Sequence, residues 1–260
     1  MKYRLLGRVE LSDLKKVDIG GAKHRTLLAT LLFGANEFQS VDHIAEALWD
    51  HDQPKSAHGL VRLYVHQLRK RMGQAGADLL TEPGGYVLRV GRTDLDLHVF
   101  ESETDQARAL LAVGDHEAAE ARFAAALALW REPFTCRTGS PLLDRLHGPW
   151  LEDMGLAAVE GLAEAQLALG RWLPLTVRLR PLVDRFPYRE RLLGQYMLAL
   201  HRSGRRAEAL EVFHRVRSVL VSELGIEPGK ELRALMQAVL RDDTAPYPVG
   251  TRLVSLAAAG

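Results

Sequence analysis

The sequence predicts a mainly α fold with a small β component: an N-terminal winged helix-turn-helix followed by an all-α, tetratricopeptide-like helical repeat domain. Three observations predict it. Residues 1–93 run in the order short strands, three helices, hairpin. From Asp94 onward the chain is helical in pattern, rich in Ala, Leu, Arg and Glu, and partly repetitive. Positive charge is gathered on one helix of the first part, in a chain whose formal net charge is only +1.

The strands come first. Tyr3-Arg4-Leu5, Val9-Glu10-Leu11 and Val17-Asp18-Ile19 alternate apolar and polar residues, with breaks at Gly7 and Gly20-Gly21. Such alternation suits a half-buried antiparallel sheet. Lys23–Phe33 carries Leu27, Leu28, Leu31 and Leu32 at helical spacing. Ser40 is placed to cap Val41–Trp49, where Ile44, Ala47 and Leu48 share a face. Ser56 follows a polar connector and is the expected cap of a third helix, Ala57–Met72. In that helix Val61, Val65, Leu68 and Met72 form an inward stripe. Leu79–Thr81, a turn at Glu82-Pro83-Gly84-Gly85 and Tyr86–Val90 then read as a β-hairpin, with Tyr86 in the core.

The second part is read from its glycines. Leu-Ala-Leu-Gly170-Arg-Trp and Leu-His-Arg-Ser-Gly204-Arg-Arg lie 34 residues apart. That is the period of the tetratricopeptide helix pair. A related segment around Gly114 lies 56 residues before Gly170, which leaves room for an irregular insert over roughly Arg131–Pro149. Gly225 and Pro228 precede a last helix, Lys230–Arg241. The expected division is 1–93, DNA-binding; 94–241, helical; and 242–260, a loosely held tail.

Composition narrows the function classes. The chain has 260 residues, 47% hydrophobic and 26% charged, as in an ordinary globular protein. A single cysteine, Cys136, excludes a disulfide framework or a thiolate zinc cluster. The densest apolar run, Phe123–Trp130, is too short to cross a membrane, and MKYRLLGRVEL lacks a signal-peptide core, so a cytoplasmic location is expected. No HExxH or CxxC motif is present, and the Gly229-Lys230 pair lacks a phosphate-loop frame. Catalysis, metal and cofactor are therefore not expected. Trp130, Trp150 and Trp172 are read as core anchors.

Charge points instead to nucleic acid. Residues 1–93 hold 14 Lys/Arg against 10 Asp/Glu, and Gln53–Ala77 contains no acid. If the apolar stripe of the third helix faces inward, Arg62, Leu63, His66 and Gln67 face outward to base edges, and Arg69 and Lys70 to phosphate. An α-helix fits the major groove, where Arg matches guanine, Gln matches adenine and an apolar side chain meets the thymine methyl. Lys23 and Arg25 at the start of the first helix, and Lys55 and Ser56 before the third, are further phosphate candidates. Pro83, Gly84, Gly85 and Arg89 form the expected wing. A second reading stays open: a protein- or ligand-binding helical module with a weakened DNA-binding part, motivated by Gly59 and Gln67. The sign of regulation, activator or repressor, is also open at this level.

Particular segments also resemble a family. Gly20-Gly21-Ala22-Lys23-His24-Arg25-Thr26-Leu27-Leu28, Pro54-Lys55-Ser56-Ala57, Val65-His66-Gln67-Leu68-Arg69-Lys70 and Gly85-Tyr86-Val87-Leu88 carry it in the first part. Ala128-Leu129-Trp130-Arg131, Leu198-Ala199-Leu200-His201-Arg202-Ser203-Gly204-Arg205 and Glu223-Leu224-Gly225-Ile226-Glu227-Pro228 carry it in the second. The chain resembles the Streptomyces antibiotic regulatory proteins from about residue 3 to residue 241. The resemblance implies an OmpR-type winged helix that binds direct repeats near a promoter's −35 element. It also implies a bacterial transcriptional activation domain of tetratricopeptide-like helices. Such proteins recruit RNA polymerase, with contacts to the principal sigma factor, and pair side by side on double-stranded DNA. The family often has Asn where Gly59 stands and Ser-Arg where His66-Gln67 stand. The resemblance therefore implies the family's docking mode with a changed base preference.

Overall fold

A computed structural model describes residues 2–13, 15–131 and 134–242. The expected tail lies, from residue 243 on, outside them. Among the described residues the chain forms two compact units, residues 2–107 with 122–158, and residues 108–121 with 159–242.

In the first unit, β1 (Lys2–Arg4), β3 (Glu10–Asp13) and β4 (Lys15–Val17) form an antiparallel sheet, with Tyr3 opposite Leu11 and Leu11 opposite Val17. The last strand ends at Val17 rather than spanning Val17–Ile19. Helix α1 (Ala22–Phe33) is buried at every residue from Thr26 to Leu32, so its core-facing surface is wider than the leucine stripe suggests. Helix α2 (Val41–Trp49) begins where expected, and the Ser40 hydroxyl accepts the amide of His43 at 3.1 Å. Helix α3 (Ala57–Met72) also has the expected bounds, but Ser56 makes no capping bond. With φ −92° and ψ 15°, Ser56 lacks the extended backbone that aims a cap side chain at the first turn.

Strands β6 (Leu79–Glu82) and β7 (Gly85–Leu88) form the hairpin, and β5 (Gln39–Ser40) pairs with β7 on its other side. The two-residue connection Pro83-Gly84 has proline first and glycine second, with φ +82° at Gly84. That is the chemistry of a type II turn. Gly85 is fixed by space: a Cβ there would lie 2.2 Å from the Gln39 carbonyl oxygen and 2.6 Å from the Phe38 ring. Gly85→Ala is expected to push β7 off β5 and cost about 1–3 kcal/mol, read as a lower denaturant midpoint with an unchanged slope.

Residues beyond 93 complete this unit. Helix α4 (Asp96–Ala112) starts with Asp96, 8% exposed, whose two carboxylate oxygens accept the amides of Leu5 (2.7 Å) and Leu6 (3.2 Å). Arg131 lies 3.4 Å from the same carboxylate. Burial raises the Asp96 carboxyl above the ordinary range, against the two amides and Arg131, which lower it. The short strands β2 (Gly7–Arg8) and β8 (Cys136–Arg137) pair in parallel. Ser140 donates to the Ala47 carbonyl at 2.6 Å and Thr26 to the Thr138 carbonyl at 2.9 Å, tying α2 and α1 to this segment.

The expected insert is shorter than Arg131–Pro149. Helix α6 (Pro141–Ala168) already runs from Pro141, and Pro149 lies inside it. Proline at the first helical position gives up an amide that has no intrahelical partner. Trp130 stands edge-on to Phe100 and Phe134, with centroids 5.8 and 5.4 Å away. Trp130 and Trp172 are half-buried, whereas Trp150 is 42% exposed and is not a core anchor.

The second unit is a stack of helices. Helices α7 (Trp172–Arg185), α8 (Glu190–Arg202), α9 (Arg206–Val219) and α10 (Lys230–Arg241) pack in succession, with α10 also against α8. The core is α8, whose Leu192, Leu193, Tyr196, Met197 and Leu200 are buried. Gly170 and Gly204 adopt φ +74° and +77° in the turns that precede α7 and α9. Only glycine does this at no steric cost, which explains their recurrence. Gly114, at φ +82°, does the same between α4 and α5 (His116–Leu127). Glu160, 6% exposed, is held by Arg189 at 2.7 Å, and its carbonyl accepts the Gln195 amide at 2.8 Å.

Candidate nucleic-acid interface

Helix α3 separates cleanly into two faces. Val61, Val65, Leu68 and Met72 are each no more than 2% exposed. Gly59, Arg62, Leu63, His66 and Lys70 are exposed on the other side, and Leu63 is 47% exposed. No side chain touches the Gly59 position within 4 Å, so the helix has an unobstructed surface there. Arg62 and Lys70, the two charges on this face, form no ion pair among the described residues. Lys55 and Ser56 are exposed just before the helix.

The flanks are more committed than the open face. Gln67 is half-buried, and its Oε1 accepts from His24 Nε2 at 2.8 Å. Bidentate recognition of adenine needs both the oxygen and the nitrogen of the amide. With the oxygen held by His24, Gln67 offers only N–H donors outward. His24 stands edge-on to Tyr64 at 5.1 Å, and Tyr64 packs near Trp49. Lys23 lies over the Trp49 ring at 5.5 Å and donates to the Leu48 carbonyl. Arg25 donates to the Gly20 carbonyl at 3.1 Å. These contacts fix the start of α1 against α3.

Arg69 is turned to the wing. Its Nε donates to the Leu79 carbonyl at 2.8 Å, an Nη to Thr81 Oγ1 at 2.8 Å, and its guanidinium lies 5.8 Å from the Tyr86 ring centre. It braces the hairpin against the helix instead of lying on the open face. Tyr86 is 5% exposed, in the core as expected. At the wing tip Pro83 and Gly84 are exposed while Gly85 is buried. Arg89 is exposed at the base of the hairpin, beyond the last residue of β7.

The sequence reading overlooked the His24–Gln67 pair and the bracing role of Arg69. Partners 43 and 10 residues apart leave no periodic signal. Among the described residues no group of three or more His, Cys, Asp and Glu could hold a metal ion. No helix among them is long and apolar enough to cross a membrane. Burial, with Asp144 and Asp96 nearby, lifts the Cys136 thiol far above its ordinary range, which removes its thiolate character.

Comparison with known proteins decides the family. Residues 95–240 match the model of the bacterial transcriptional activator domain. The regulatory protein DnrI of Streptomyces peucetius is 34% identical over 230 residues, 85% of each chain. The chain belongs to the Streptomyces antibiotic regulatory protein family. It is a transcriptional regulator of that activator family. The transcriptional regulatory protein MoaR1 of Mycobacterium tuberculosis is 33% identical over 248 residues, 93% of this chain and 79% of its own. A solved structure of Mycobacterium tuberculosis EmbR, in complex with a low-affinity phosphopeptide, superposes with a TM-score of 0.85 at 33% identity. That match covers 92% of this chain and 65% of EmbR. The mainly helical fold with a small β component is thus the fold of this regulator family, shared with EmbR.

Proposed function

We propose that this regulator binds double-stranded promoter DNA in the cytoplasm through residues 1–93 and acts on transcription through residues 94–241. In this reading two copies lie side by side on direct repeats near the −35 element of a secondary-metabolite, antibiotic-type gene cluster. They recruit RNA polymerase holoenzyme, including its principal sigma factor.

The observation that carries the reading is the open face of α3, with Arg62, Leu63, His66 and Lys70 exposed and no acid from Gln53 to Ala77. Arg62 has the fork that matches guanine, Leu63 suits a thymine methyl, and His66 reaches an acceptor. Gln67, with its oxygen held by His24, reads an acceptor with N–H alone. Lys55, Ser56 and Lys70 take phosphate. Lys23 and Arg25 each keep N–H donors beyond the one in use, next to the free amides at the start of α1. Pro83, Gly84 and Gly85 form the short wing, and Arg89 reaches phosphate from its base. Arg69 acts as a positioning residue by holding that wing.

Selection from a random duplex library by the full chain tests this. Enrichment of a direct repeat with a period of about 10–11 base pairs, one helical turn, is expected. Enrichment of no motif, with no retention of DNA at low salt, would contradict it and favour a protein-binding helical module.

A further inference from the structure

A cleft of about 620 Å³ lies behind the DNA-facing surface of α3, among Tyr3, Arg71, Gln74, Asp78, Arg89 and Asp94. Its back wall holds an unusual group. Tyr3 is 3% exposed, and its hydroxyl has no hydrogen-bond partner. Buried polar groups are nearly always paired, so an orphan invites explanation. Burial, and then the carboxylates of Asp78 and Asp94, push the Tyr3 phenol up to about 12. The hydroxyl therefore keeps its proton and lies in the field of two carboxylates that line the cleft.

The charges around it are unevenly used. Asp94 is paired with Lys2 at 3.0 Å and Arg71 with Asp18 at 3.3 Å. The Asp78 carboxylate and the Arg89 guanidinium have no side-chain partner among the described residues, although their backbones are joined by the Arg89 amide and the Asp78 carbonyl at 2.8 Å. One unpaired acid, one unpaired base and one unsatisfied hydroxyl thus share a polar cleft. A simple cation would meet two arginines, and a simple anion two aspartates. A molecule carrying both charges meets neither objection.

We propose that this cleft binds a small zwitterion of the amino-acid type, with its ammonium on Asp78 and its carboxylate on Arg89 and the Tyr3 hydroxyl. Arg71, Met72 and Gly73 end the helix with the exposed basic face, and Arg89 stands at the base of the hairpin. A bound zwitterion therefore touches both elements assigned to DNA, and that regulatory consequence alone rests on the DNA-binding reading.

Calorimetric titration of the full chain, without DNA, tests the site. L-glutamine and L-serine are the probes, with ethanolamine and lactate as partners bearing one charge each. Saturable binding of an amino acid is expected, weaker by at least about tenfold, or 1.4 kcal/mol, for either singly charged compound. Tyr3→Phe and Asp78→Asn are each expected to weaken it by a similar factor without lowering the melting temperature. No saturable binding of either amino acid overturns the proposal. So does equal binding of ethanolamine or lactate, or binding that both variants retain. Because no DNA is present, failure here leaves the DNA-binding reading untouched, and the reverse also holds.

Discussion

A chain cut after Thr93 is expected to lose cooperative folding, although the cut falls between the winged helix and the helical part as the sequence divides them. The reason is where the buried polar groups of the first strands find their partners. Leu5 and Leu6 are fully buried, and their amides end on the Asp96 carboxylate. The Tyr3 amide donates to the Asp94 carbonyl at 2.7 Å. Thr26 and Ser140 add buried bonds that join α1 and α2 to residues 138–140. Each buried donor left without an acceptor costs about 1–3 kcal/mol, against a total stability of about 5–15 kcal/mol for a domain. Two or three such losses, with Phe100 and Phe123 removed from the core, consume that margin. The measurement is amide dispersion and urea unfolding of residues 1–93. A dispersed spectrum with a cooperative transition would contradict the expectation. In the full chain, Asp96→Ala should cost about 2–4 kcal/mol, from the two orphaned amides.

The second large effect falls on DNA. Arg62→Ala should weaken binding to the selected repeat by about 1–3 kcal/mol and relax the preference at one base position. Lys70→Ala should weaken binding to all duplexes alike and reduce the salt slope by about one. The contrast is the useful part, because both residues are exposed on the same face and neither supports the core. Equal, sequence-independent losses would remove Arg62 from base recognition. No loss in either variant would mean that another surface carries the DNA.

Much of this was legible in the sequence because it is periodic or local. Two helix bounds in the first part, Val41–Trp49 and Ala57–Met72, follow from apolar spacing and from the polar connector between them. The turn glycines Gly114, Gly170 and Gly204 were visible because positive φ demands the same residue each time. The inward stripe of α3 fixed its outward face, and with it Arg62, His66 and Lys70. What the sequence does not show is long-range or competitive. Asp96 looks like an ordinary first-turn acid, yet it closes a bend 90 residues earlier in the chain. Helix periodicity places Arg69 and Gln67 near the outward face. The wing and His24 compete for their side chains, and only the folded arrangement shows it. The insert expected over roughly Arg131–Pro149 ends earlier, because Pro141 already starts α6 and Pro149 lies inside that helix.

In the function proposed above, the open face of α3 brings this regulator to promoter repeats from which it recruits polymerase. The most direct test is a nuclease footprint of the full chain on promoters adjoining its own gene, with and without RNA polymerase holoenzyme. Protection of two direct repeats beside the −35 element, strengthened and extended by polymerase and lost with Arg62→Ala, is the predicted result. Protection that excludes polymerase, or none at low salt, would contradict it.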